Sequence, residues 1–161
     1  MVLLLCSMCA VCFAKLEQPT DDRWVIVGGV EGEFDIWLDV NTIVWKQSGE
    51  AGHSGHKAAR VWTQLLNHKD SIKSLFCYEF DIDCSSNRYL SWLQIDKKGM
   101  VVMEDNSAAI QSKPITPGSS FESMFYVLVL LDDARNDKEK YDRYIRMMKL
   151  DTIKYKNSLK S

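Results

Sequence analysis

Apolar and polar residues alternate strictly along much of this chain, and the turns between the alternating runs are only a few residues long. Over residues 33–40, Phe34, Ile36, Leu38 and Val40 fall on one side and Glu33, Asp35 and Asp39 on the other, with Trp37 interrupting the polar side. Over residues 74–84, Phe76, Tyr78, Phe80, Ile82 and Cys84 share a face opposite Glu79, Asp81 and Asp83. A period of two belongs to a half-buried strand. Residues 23–30, 41–46, 59–66, 88–96 and 100–104 are also strand-like, rich in β-branched and aromatic side chains. Between them stand NHKD, SSN and KKG, which are turn sequences. Parallel strands need crossovers of about a dozen residues or more, so the runs predict an antiparallel meander. The one longer connection, QSGEAGHSGH, holds three glycines and no large apolar residue. It reads as a flexible hairpin loop.

The pattern changes after Pro117 and Gly118. Ser119 with Glu122 three residues on is a capping box, and Phe121, Met124, Phe125 and Leu128 then follow helical spacing. Asn136 with Glu139 opens a second, longer helix with Tyr141, Tyr144, Ile145 and Met148 as its stripe and charge elsewhere. The predicted class is α+β: an antiparallel meander, a helix packed on it, and an extra C-terminal helix. A chain of 161 residues is long enough for one such core.

Residues 1–14, MVLLLCSMCAVCFA, carry no charge and are too few to span a bilayer as a helix, which takes about 20 apolar residues. They match the apolar core of a secretory signal with a cleavage site after Ala14. Residues 15–22 form a polar lead-in with Pro19, residues 23–131 the domain proper, and residues 132–161 a helical extension expected to lie outside it. No transmembrane segment is expected once the signal is gone. The formal net charge of −2 argues against nucleic acid as a partner.

The succession of Trp24, the IWLDVNTI segment with Asp39, Asn41 and Ile43, Val61-Trp62, DIDC at residues 81–84 with Arg88 and Tyr89, Gly99 and ITPGSSFESMFYVL resembles the bacterial surface-adhesin protein E family. The similarity runs from Trp24 to about Val129. It implies an exported domain, an antiparallel sheet carrying a helix, and binding of host matrix or serum proteins. It also implies that Cys84 occupies a disulfide position, although the helix here lacks the usual partner cysteine. The only other cysteine after the signal is Cys77, about 23 Å away along an extended strand. Both are therefore expected as free thiols, Cys84 buried and Cys77 more open.

Chemistry is sparse. His53 and His56 are candidate metal or haem ligands, but two imidazoles make no site unless a carboxylate, a thiolate or a third histidine converges on them. His68 reads as a turn residue, and Asp81 and Asp83 as a solvent-facing strand edge. No activated nucleophile or paired acid and base stands out, so no enzyme and no cofactor are expected. Trp37 and Trp92 are candidate contact residues on the sheet, unless the C-terminal helices cover that face. Arg146 and Lys149, in a basic stretch, are candidates for an acidic partner. The reading is a periplasmic, secreted or cell-surface binding protein for a protein partner, with a homodimer possible. A small-ligand or haem carrier and an envelope assembly factor are the alternatives.

Overall fold

The computed structural model describes residues 19, 21–30, 32–48, 55–69, 72–96, 98–107 and 111–159; the expected signal segment lies outside them. The described residues form β1 (Trp24–Val30), β2 (Phe34–Asp39), β3 (Val44–Ser48), β4 (His56–Asn67), β5 (Ile72–Asp81), β6 (Ser86–Ile95), β7 (Val101–Asp105), β8 (Lys113–Pro114), α1 (Ser120–Ala134) and α2 (Lys138–Ser158). All strands join one antiparallel sheet of order β1-β2-β4-β5-β6-β7, with β3 on β4 and β8 on β6. The α+β class and the meander are as the alternation predicts. Among the described residues no helix is long and apolar enough to cross a membrane.

β4 is the long central strand, and β2 and β3 line the same edge of it one after the other. A single 3-10 turn, Val40–Thr42, breaks that line. Asp39 caps the turn by accepting from the Asn41 amide at 3.1 Å, and Thr42 Oγ1 accepts from the Trp62 amide of β4 at the break. The backbone polar groups at the interruption thus find partners, as buried backbone requires. At the β1–β2 turn the strands approach closely: a Cβ at Gly29 would lie 2.6 Å from the Phe34 carbonyl oxygen, so only glycine fits.

One face of the sheet carries Val25, Ile36, Leu38, Ala59, Val61 and Phe80, and α1 covers it with Met124, Phe125 and Leu128. The α1 cap is the expected one, with Ser119 Oγ accepting from the Glu122 amide. Glu122 reaches back one residue further than expected and accepts from the amide of Gly118, which has a positive φ of 76°.

α2 differs from expectation in three ways. Its cap is Asp137, not Asn136: the Asp137 carboxylate accepts from the Lys140 amide at 3.0 Å. The anticipated boundary before Asp132 falls inside α1, where Leu131 and Ala134 are fully buried. The helix is also packed on the sheet. Ile145 and Met148 contact the α1-side core, while Tyr155 packs on Trp24, Trp37 and Leu66 on the opposite face. Between these contacts Thr152 Oγ1 accepts from the Ile26 amide at 3.0 Å. α2 therefore passes over the β1 edge from one face to the other.

That crossing explains why Asp35 and Trp37, on the polar side of residues 33–40, are buried while Glu33 stays exposed. Asp35 lies under α2, accepting from the Tyr155 hydroxyl and 3.1 Å from His68 Nε2. Deleting residues 138–161 should abolish cooperative unfolding, because it uncovers Trp37 and takes the Tyr155 hydroxyl from Asp35 and Thr152 from the Ile26 amide; a thermal melt followed by near-ultraviolet circular dichroism reads this, and a sharp transition in the truncated chain would show α2 to be dispensable. Ser119→Ala should lower stability by about 0.5–2 kcal/mol in a urea titration.

Candidate functional site

The pairing of β4 with β5 brings three side chains of ligating chemistry to one corner. Ala58 stands opposite Asp81, and the Ile82 amide donates to the Lys57 carbonyl at 2.8 Å, so the start of β4 lies beside the end of β5. The chain then turns sharply over residues 82–85. Asp83 accepts from the Lys57 amide at 2.8 Å, Asp81 Oδ1 accepts from the Cys84 amide at 2.9 Å, and Ser85 adopts a left-handed φ of 48°. Such a φ is uncommon for serine and here directs the chain straight into β6.

Inside this turn His56 Nδ1 lies 3.2 Å from Asp81 Oδ2 and 3.1 Å from Cys84 Sγ. The three donor atoms all lie within 4.8 Å of one another. The carboxylate and thiol that His56 needed as co-ligands come from a distant part of the sequence. His53 falls outside the described residues.

Two sequence expectations are overturned at this corner. Asp81 is not on a solvent-facing edge; it is 7 % exposed and committed to the turn. The burial of the two thiols is the reverse of that expected: Cys84 is free and exposed, and Cys77 is free and buried. The cause is that β5 ends at Asp81, so the alternation that put Cys84 on the apolar face stops before reaching it. Desolvation within the turn, then the Asp81 and Asp83 carboxylates, hold the Cys84 thiol pKa above the ordinary value. Burial raises that of Cys77.

The expected contact residues are scattered. Trp37, a candidate contact residue unless the C-terminal helices cover its face, is covered and 0 % exposed: Tyr155 meets its ring edge-on at 6.1 Å and Lys156 Nζ lies 5.2 Å from its centroid. It is a core residue because α2 covers its face. Trp92 is half-buried on β6 and stacks on Phe76 at 6.1 Å. Phe76 in turn stacks on Tyr78, which meets Phe121 of α1 at 5.1 Å, so an aromatic row runs outward from the α1 core. Arg146 is exposed on α2, and Lys149 is paired with Asp22 at 2.9 Å. His68 is more than a turn residue, since it contacts the buried Asp35.

A surface that no motif announces lies at the far end of the sheet. Met100, Val101, Val102 and Met103 are exposed at 63 %, 54 %, 52 % and 56 %. Neighbouring strand residues point to opposite faces, so Val101 and Met103 on one face of β7 and Val102 on the other are both uncovered among the described residues. The run MVVM lacks the alternation that elsewhere separates a wet face from a dry one, which was its only signal in the sequence.

No family model, curated protein or solved structure matches this chain.

Native-state alkylation with mass readout should modify Cys84 well before Cys77. Equal rates, or Cys77 first, would contradict the burial of these two side chains.

Proposed function

We propose that this chain is a non-catalytic binding module that works outside the cytoplasm, in the periplasm or at the cell surface, and takes up a protein partner along β7. The observation that carries the reading is the run of three exposed apolar residues, Val101, Val102 and Met103, on a terminal strand of the sheet, with exposed Met100 leading into it. The two ends of the strand order differ. Thr152 takes the Ile26 amide at the β1 end and α2 lies over that strand, whereas β7 ends the order at the other side with both of its faces exposed. An apolar open edge is a liability that folded proteins ordinarily blunt with charge or cover. Strand addition gives such an edge a use: backbone hydrogen bonds supply affinity, and side chains on both faces supply contact area. Trp92, opposite Asp105 of β7, widens that surface with the outer end of the aromatic row.

The uncharged first fourteen residues support export, and the resemblance to surface-adhesin protein E supports an extracellular-matrix or serum protein as partner. A second copy of the chain is the other occupant the same edge admits.

The test is retention of the full chain on immobilised matrix and serum proteins, with self-association followed by sedimentation. Substituting Val102→Lys together with Met103→Lys should reduce retention at least tenfold and leave stability within about 0.5 kcal/mol, as surface changes do. Equal retention by both forms would refute β7 as the binding edge. Loss of a dimer alone would identify the partner as a second copy.

A further inference from the structure

We propose that His56, Asp81 and Cys84 form a binding site for one divalent transition-metal ion of borderline softness, of the zinc type, with a fourth position open to solvent. This does not depend on the reading of β7. The donor set is the first argument. Imidazole, carboxylate and thiolate together suit zinc and its neighbours, whereas magnesium and calcium take oxygen ligands alone.

The second argument is spacing. A tetrahedral zinc ion with bonds of about 2.0–2.3 Å holds its ligand atoms about 3.3–3.6 Å apart. The Nδ1–Oδ2 and Nδ1–Sγ separations here are 3.2 and 3.1 Å. An ion therefore requires these two pairs to open by only a few tenths of an ångström, while Oδ2 and Sγ, which lie within 4.8 Å of each other, would be drawn to the same spacing by the ion between them. Cys84 is exposed and His56 half-buried, so both have room to do so.

The third argument is the division of labour within the Asp81 carboxylate. Its Oδ1 is held by the Cys84 amide, which fixes the group's orientation and presents Oδ2 to the histidine. Outer contacts of this kind orient ligands in known metal sites. The frame beneath is rigid for the same reason: Lys57 bonds to Asp83 through its amide and to Ile82 through its carbonyl, and the Ser85 carbonyl accepts from the Ile115 amide at 3.0 Å. The same contacts bring His56 and Cys84 together across 28 positions of sequence. Ion binding would fasten the start of β4 to the β5–β6 turn.

The test uses the full chain, reduced and stripped with a chelator, titrated first with Co2+ and then with Zn2+. One equivalent of Co2+ should produce thiolate-to-metal charge-transfer absorption, and Zn2+ should displace it. Cys84→Ser should remove that absorption and weaken Zn2+ binding at least tenfold in calorimetry, and His56→Gln should weaken it by a similar factor. Cys77→Ala should leave both readouts unchanged. Asp81 also holds the turn, so its substitution is a poorer test of ligation. In the unsubstituted chain Zn2+ should slow alkylation of Cys84 at least tenfold and leave Cys77 unaffected, a readout independent of any variant's folding. No charge-transfer band, a band that survives Cys84→Ser, or alkylation of Cys84 indifferent to Zn2+ would each overturn the site.

Discussion

The passage of α2 over the β1 edge is the contact on which the rest of the structure rests. Ile145, Met148, Thr152 and Tyr155 follow one another at helical spacing, so one stripe of α2 meets the α1-side core, the β1 backbone and the opposite face in turn. Because that stripe wraps the strand, β2 has neither face in water, and Asp35 and Trp37 become interior residues. Removing an aromatic from such a position typically costs about 3–5 kcal/mol. That is a large share of the 5–15 kcal/mol by which domains are usually stable. The hydroxyl of Tyr155 matters as much as its ring, since it pairs a carboxylate that would otherwise be buried with fewer partners.

The consequence for function is a sheet with two unlike ends. Around β1 and β2 every layer is filled. Towards β6 and β7 the helices stop, the aromatic row becomes half-buried, and among the described residues nothing covers Val101, Val102 and Met103 of the last strand. The His56–Asp81–Cys84 corner lies between these extremes, rigid in backbone because two paired strands and a tight turn define it, yet open at two of its three side chains. A firm frame with accessible donor atoms is what a ligand site requires.

The fold class was legible because its signals are local. Alternation over residues 33–40 and 74–84, short turns and the Ser119–Glu122 cap each declare an element without reference to the rest of the chain. What escaped is whatever depends on which elements meet. Alternation marks a polar side at Asp35 and Asp39, but whether that side is wet depends on α2, more than a hundred residues away. Trp37 was the one local hint, a large aromatic set among carboxylates. The end of β5 at Asp81 was likewise invisible, since Ile82 and Cys84 keep the apolar rhythm into the turn; that error reversed the two thiols. His56 and Cys84 could not be joined by spacing alone, because strand register, not sequence distance, brings them together. Asn136 and Asp137 are both competent caps, and the sequence does not choose between them.

The hydrogen bond from Ile26 to Thr152 spans 126 positions. Most other sheet contacts join neighbours in sequence and can form as soon as two consecutive strands exist, whereas closing so long a loop is slow. During synthesis β1 therefore stays unsheathed, its outer amide unmet and the underside of β2 bare, until the last two turns of α2 have been made. The first strand and the underside of the second are thus finished by a residue that follows them by more than a hundred positions, and a chain ending before Thr152 leaves both bare.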